Sequence, residues 1–197
     1  MNFRIYIFFI VILLNFSCQN NCNCKIDDEI LRKNDSILNT INSINKKYWD
    51  KYLSDLEEND IRFEKKNIYR FSNKDIMSGS TFVYKIEQNV RDYKLTVKKH
   101  YKYFDGNDSI NIKYERQLTE KEWNKFENQI KNTCFWTLPT RIKRSGLDGS
   151  NWLLEAISIN KNYCTERNYH AVIRWSPENE SEFYKLCQIL IGFDKNE

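Results

Sequence analysis

Phe82-Val83-Tyr84-Lys85-Ile86-Glu87, Lys94-Leu95-Thr96-Val97-Lys98-Lys99 and Ile110-Asn111-Ile112-Lys113-Tyr114 decide the fold. In each run, side chains alternate with the period of two that sends neighbours to opposite faces of a strand. Phe82, Tyr84 and Ile86 share one face, and Val83, Lys85 and Glu87 the other. Leu95 and Val97 alternate with Lys94, Thr96 and Lys98. Tyr101 and Tyr103 resume the apolar series after Lys99, which predicts a bulge or a strand end near Lys98-Lys99. Asp105-Gly106 is a hairpin signal, because both residues tolerate positive φ. Strands joined in this way are antiparallel, with one face on a core and the other in water.

Downstream, Thr119-Glu120-Lys121-Glu122 reads as a capping box: the Thr119 hydroxyl caps the helix and Glu122 reaches back. Trp123, Phe126 and Ile130 then share one helical face, and the helix ends near Thr133. Cys134-Phe135-Trp136 is an apolar plug stopped by Pro139. Residues 141–144 form a basic loop and 146–149 a turn. Residues 152–159 read as a strand with little alternation, hence one inside the sheet, and Tyr169–Trp175 as its partner. Ser176-Pro177-Glu178 has the chemistry of a helix start, and Phe183, Leu186, Cys187, Leu190 and Ile191 form an apolar stripe that Gly192 ends.

Upstream, residues 61–71 predict one or two short strands and 72–80 a polar turn. Residues 27–58 carry a helical pattern through Ile30, Ile37, Ile41, Ile44 and Tyr48, then Trp49, Tyr52, Leu53 and Leu56. Asn34 interrupts the stripe, so the first half reads as a solvated stalk or a coiled-coil contact. The expected fold is α+β: an antiparallel sheet of five or six strands with helices on one face, preceded by a long N-terminal helix.

Residues 5–14 are an unbroken apolar run. A bilayer span needs about 20 such residues, whereas the core of a secretory signal needs roughly 7–15. Leu14-Asn15-Phe16-Ser17-Cys18 follows, and it resembles the cleavage box of bacterial lipoproteins. That resemblance implies cleavage before Cys18, acylation of its thiol, and a protein anchored by lipid in the bacterial cell envelope, facing periplasm or cell surface. Two or more acyl chains are needed for stable anchoring. The expected organisation is a signal peptide over 1–17, a lipidated tether over 18–26, a helical segment over 27–58 and a single α+β domain over 59–197. Farther on, Phe135-Trp136, Gly146-Leu147-Asp148-Gly149, Trp152, Glu155 and Arg174-Trp175-Ser176-Pro177 resemble uncharacterised bacterial proteins with no assigned activity.

The chain carries 31 basic and 27 acidic residues, a balance that gives no argument for a nucleic-acid partner. Its two histidines stand in no nucleophile motif, and its five glycines form no phosphate-binding loop. No cofactor is implied. Cys18, Cys22 and Cys24 lack the nearby histidine that a tetrahedral site would recruit, so no metal is expected.

Three groups stand as candidates. Glu155 on one strand and His170 and Arg174 on the next converge if the register aligns them, with Asp148 at the edge. Such a cluster suits either a structural ion pair or acid and base chemistry. Lys94, Thr96, Lys98, His100 and Lys102 point one way on a regular strand, and Arg141, Lys143 and Arg144 add charge from a loop. Together they suit an anion, a lipid phosphate or an acidic glycan. The five tryptophans suit a core, or a sugar cleft. Among Cys134, Cys164 and Cys187, geometry favours a disulfide between Cys164 and Cys187, because the final helix climbs back toward the loop that holds Cys164; the alternatives are Cys134 with either of them, or three buried thiols acting as small apolar residues. The expected function is a non-enzymatic envelope lipoprotein that binds a protein or an envelope component, glycan included; the alternative is a hydrolase using Glu155 or Asp148.

Overall fold

The computed structural model describes residues 24, 27–41, 53–54, 56–90, 92–102, 109–144, 146–159 and 168–195. Six strands form one sheet: β1 (Asn67–Asp75), β2 (Thr81–Gln88), β3 (Tyr93–Lys102), β4 (Ser109–Gln117), β5 (Ser150–Ile157) and β6 (Tyr169–Trp175). Their order is β4-β3-β2-β1-β5-β6, and every neighbouring pair is antiparallel. Among the described residues three α-helices accompany them: α1 (Asp28–Ile41), α2 (Glu120–Asn132) and α3 (Glu182–Gly192). β1 to β4 form a meander. The chain then crosses through α2 and returns as β5 on the other side of β1, so β5 is an interior strand, as its weak alternation predicts.

α2 and α3 cover one face of the sheet. Tyr69, Phe71, Tyr84, Ile86, Leu95 and Val97 meet Trp123, Phe126, Leu186 and Leu190 there. Aromatic rings supply much of the contact: Tyr93 stacks on Trp123 at 4.4 Å, and Tyr69 meets Phe126 edge-on at 5.0 Å. α2 opens as its sequence dictates. Thr119 Oγ1 accepts from the Glu122 amide at 3.2 Å, and Glu122 Oε2 accepts from the Thr119 amide at 2.8 Å.

The opposite face is not the wet one that the alternation implies. Residues 53–63 lie across it as a strap. Leu53 and Leu56 pack on Val83, Leu153, Ala171 and Ile173, and Ile61 packs with Ile68 and Ile157. The apolar residues on that face of β2, β5 and β6 require such a cover.

Several local expectations change. β3 keeps an unbroken register with β2 and with β4, so there is no bulge at Lys98-Lys99. β1 runs on to Asp75, through what reads as a polar turn, because Ser72 and Lys74 face the strap side of a sheet that continues on both flanks. The last helix is capped by Ser181, whose Oγ accepts from the Tyr184 amide at 3.2 Å, and not by Ser176. Ser176 has φ of 36°, and its Oγ accepts instead from the Ser150 amide. The Asp105-Gly106 turn lies outside the described residues, although Lys102 and Ser109 pair on either side of it.

The N-terminal region is docked and is not a free stalk. Cys24 forms a disulfide with Cys134, with 5.5 Å between their Cα atoms. Asn34, the residue that breaks the apolar stripe, is buried: its Nδ2 donates to Leu138 O at 3.0 Å and its Oδ1 accepts from the Thr140 amide at 2.8 Å. In the second half of the expected 27–58 helix, residues 42–52 lie outside the described residues, and the chain turns at Leu56 into the strap.

Candidate functional site

The expected cluster of Glu155, His170 and Arg174 divides between two faces. β5 and β6 pair with Glu155 opposite Ala171, Ala156 opposite His170, and Trp152 opposite Arg174. Directly opposed residues share a face, so His170 and Arg174 lie under the helices while Glu155 lies under the strap. Asp148 is exposed in the loop before β5 and joins neither.

Under the strap, Glu155 belongs to a buried ionic network. Arg70 stands opposite it on β1. The guanidinium donates to Glu155 Oε2 from Nε at 3.0 Å and from Nη2 at 2.7 Å, and from Nη1 to Asn59 O at 2.6 Å. Tyr169 OH donates to Glu155 Oε1 at 2.8 Å. Burial, and then the adjacent Glu155 carboxylate, push the Tyr169 phenol well above its ordinary pKa and keep it a donor. Both carboxylate oxygens of Glu155 are therefore occupied.

The strap contributes Glu58 to this network. Its side chain is 1% exposed, and it meets Lys98 at 2.7 Å, Arg70 at 3.4 Å and Lys85 at 3.5 Å. Burial alone would raise its pKa. The hydrogen bond from Lys98 and the charges of Lys85 and Arg70 outweigh that and hold it below the ordinary value. Lys98 Nζ also donates to Leu56 O and Glu57 O, so one ammonium satisfies the turn where the chain enters the strap. Glu87 extends the network outward, with Lys66 at 3.0 Å, Lys85 at 3.5 Å and Lys94 at 3.6 Å.

This arrangement dissolves the expected anion strip. Lys94, Thr96, Lys98, His100 and Lys102 do share one face of β3, but Lys98 is buried against the strap and Lys94 is bridged to Glu87 and Glu115. The loop cations stand elsewhere. Arg141 bridges to Ile173 on β6, four strands from β3. At about 4.8 Å per strand that is roughly 19 Å, too far for Arg141, Lys143 and Arg144 to join β3 in one site. Arg144 is paired with Glu178 at 2.8 Å.

On the helix side, Arg174 and His170 hold the 138–140 segment. Arg174 Nη2 donates to Pro139 O at 2.9 Å and Nη1 to Thr140 O at 3.3 Å. Its guanidinium lies 5.5 Å from the centre of the Phe183 ring. Burial pulls the Arg174 pKa down to about 10. His170 is buried between Phe135 and Trp136, with Nε2 3.1 Å from Leu138 O. Cys187 is a buried free thiol, which corrects its expected bond with Cys164; Cys164 itself lies outside the described residues. The partner that Cys134 takes is Cys24, a residue the sequence places in the tether. Among the described residues the tryptophans line no common cleft: Trp123, Trp136 and Trp152 are core residues, and Trp175 covers the turn of Gly146 and Gly149, while Trp49 lies outside the described residues. Gly149 has φ of 147° and lies so close to Ser176 and Trp175 that a β-carbon would not fit.

The members of this ionic network that sequence reading misses are Glu58, Arg70 and Lys85. The signal of Arg70 and Lys85 is present but diffuse: charged residues in mid-strand, next to Phe71 and Ile86, on a face whose other members include Val83 and Leu153, while Glu58 stands outside any strand. No protein-family model matches this chain, and no curated protein matches it.

Proposed function

We propose that this chain is a non-enzymatic lipoprotein of the bacterial cell envelope, anchored through Cys18, whose folded domain binds a protein or an envelope component. Small lipoproteins that neutralise toxins are one such class. The observation that carries the reading is the Cys24–Cys134 disulfide, which follows an apolar leader and a cysteine box. Bonds of this kind persist in oxidising, exported compartments and are rare in the cytosol.

The occupied Glu155 supports the binding half of the proposal. A catalytic acid or base must come within hydrogen-bond reach of substrate, and Glu155 is spent on Arg70 and Tyr169 beneath a strap. Asp148 stands on the exposed 146–149 turn, apart from the network.

The anchor is tested by metabolic labelling with palmitate and mass spectrometry of the N-terminal peptide. Acylated Cys18 is expected, with loss of label and of membrane retention in Cys18→Ala. An unmodified Cys18 in membrane-extracted protein sinks the anchor. Crosslinking of the anchored protein within its envelope is expected to return a specific adduct. Turnover of a glycan or ester substrate that Glu155→Gln abolishes, in a variant that remains folded, would return the hydrolase reading.

A further inference from the structure

β4 is an edge of the sheet, and among the described residues no strand pairs with its outer side. The direction of its peptide groups follows from two hydrogen bonds. Leu118 N–H donates to Tyr93 O at 2.7 Å, on the β3 side. Peptide groups alternate along an antiparallel strand, so the even-numbered residues of β4 bond to β3. Ser109, Asn111, Lys113, Glu115 and Gln117 therefore turn their N–H and C=O groups outward. Asn89 N–H donates to Asp92 O at 2.9 Å, which sets the even residues of β3 against β2 and its odd residues against β4, in agreement.

The apolar side chains at the start of this edge are open as well, while Glu115 meets Lys94 of β3 at 3.5 Å and Gln117 O already accepts from Arg116 Nη1 at 3.1 Å. Ile110 and Ile112, on the helix side, are 46% and 41% exposed. Exposed edges are usually blunted by lysine or proline. Here Lys113 has Glu115 two residues along on the same face, so the edge carries both signs of charge.

We propose that β4 pairs antiparallel with β4 of a second copy of this chain, about a two-fold axis at Tyr114. In that register Lys113 stands opposite Glu115 of the second copy, and Glu115 opposite Lys113. All four residues have outward peptide groups, so these are hydrogen-bonded pairs. An axis at Lys113 or at Glu115 sets like charges directly opposite each other, which is destabilising. An axis at Ile112 sets Lys113 opposite Asn111 and Glu115 opposite Ser109, pairing no charges. An axis between two residues matches outward peptide groups with inward ones and forms no ladder. On the helix side, the Tyr114 register lays Ile112 against the aliphatic stem of Arg116 of the second copy. It thus covers one of the exposed isoleucines.

The inference does not depend on the anchor, and full-length protein in detergent tests it. In the proposed register the two Tyr114 residues form a non-hydrogen-bonded pair with Cα atoms about 4.5 Å apart, within disulfide reach. Tyr114→Cys is expected to give a disulfide-linked dimer under mild oxidation. Lys113→Cys, whose mate is position 115, is expected to crosslink far less. By sedimentation, K113E and E115K should each weaken the dimer at least about tenfold, and the K113E/E115K double variant should restore it. Wild-type protein that stays monomeric at every concentration overturns the proposal. So does stronger crosslinking at position 113 than at 114, or a double variant no better than either single one. Circular dichroism identifies any variant that fails to fold, and the wild-type measurement stands without them.

Discussion

Asn34 shows how a polar residue in an apolar stripe can be a docking point and not a flaw. Its carboxamide supplies one donor and one acceptor to Leu138 O and the Thr140 amide, both brought to it by the segment between α2 and β5. Asn34→Ala leaves a buried amide and carbonyl unpaired, and a loss of about 1–3 kcal/mol is expected in urea unfolding. Faster hydrogen exchange at the Thr140 amide would accompany it; an unchanged midpoint sinks this account. Periodicity alone reads Asn34 as an interruption, because its partners lie more than a hundred residues away in the chain. Glu58 is illegible for the same reason. It closes a helical pattern in the sequence, yet it neutralises Lys98, Arg70 and Lys85 on three different strands. Removing one member of a buried ionic group costs about 3–5 kcal/mol, and Glu58→Gln is expected to fall in that range at neutral pH.

At the scale of elements, the sequence is most readable where the cause is local. Thr119 and Glu122 lie three residues apart and cap α2 as they read. Thr119→Ala is expected to cost about 1 kcal/mol. β2, β3 and β4 are legible from alternation, whereas β5 reads as an interior strand by its weak alternation and β1 is legible only over its first half. What alternation does not reveal is the identity of the cover on the second face. Charged residues there read as solvent-facing, and the strap is held by those same charges. This gives the strap a pH dependence with a definite sign. Glu58 and Glu87 both have folded-state pKa values below the ordinary carboxylate value. Their stabilisation is therefore complete above the unfolded value, near pH 4.3, and is lost as pH falls through the lower folded values. Urea midpoints are expected to hold from pH 7 to about 5 and to drop below about 4, with a shallower drop in Glu58→Gln. A wild-type profile flat through that window would show that the network does not secure the strap.

Across the whole molecule, the Cys24–Cys134 disulfide ties the start of the chain to the end of α2 across 110 residues. Closing a loop of that length contributes up to about 4–5 kcal/mol in the chain-entropy account. Cys24→Ser is expected to lower stability and to free α1 for faster hydrogen exchange; equal stability with and without reductant would deny the bond that role. The bond also changes what the tether does. Only five residues separate the proposed lipid site at Cys18 from Cys24, and even fully extended this stretch spans no more than about 22 Å. On the proposed anchor, the loop that begins at Cys134 would be held within that reach of the lipid headgroups. Just beyond it lie Arg141, Lys143 and Arg144, all exposed, interleaved with Ile142 and followed by Leu147, which are exposed apolar residues. Arg144 already has Glu178 as a partner, so Arg141 and Lys143 are the cations most available to an anionic surface. Each basic residue near such a surface contributes about 1 kcal/mol. Protein lacking the lipid, as Cys18→Ser, isolates this term from the anchor. Its binding to vesicles rich in anionic lipid is expected to fall by tenfold or more in R141E/K143E. Binding to neutral vesicles should remain weak in both forms. Equal binding of the two forms to anionic vesicles would place this loop away from the membrane, and the short stretch between Cys18 and Cys24 would then have to leave the bilayer in another direction.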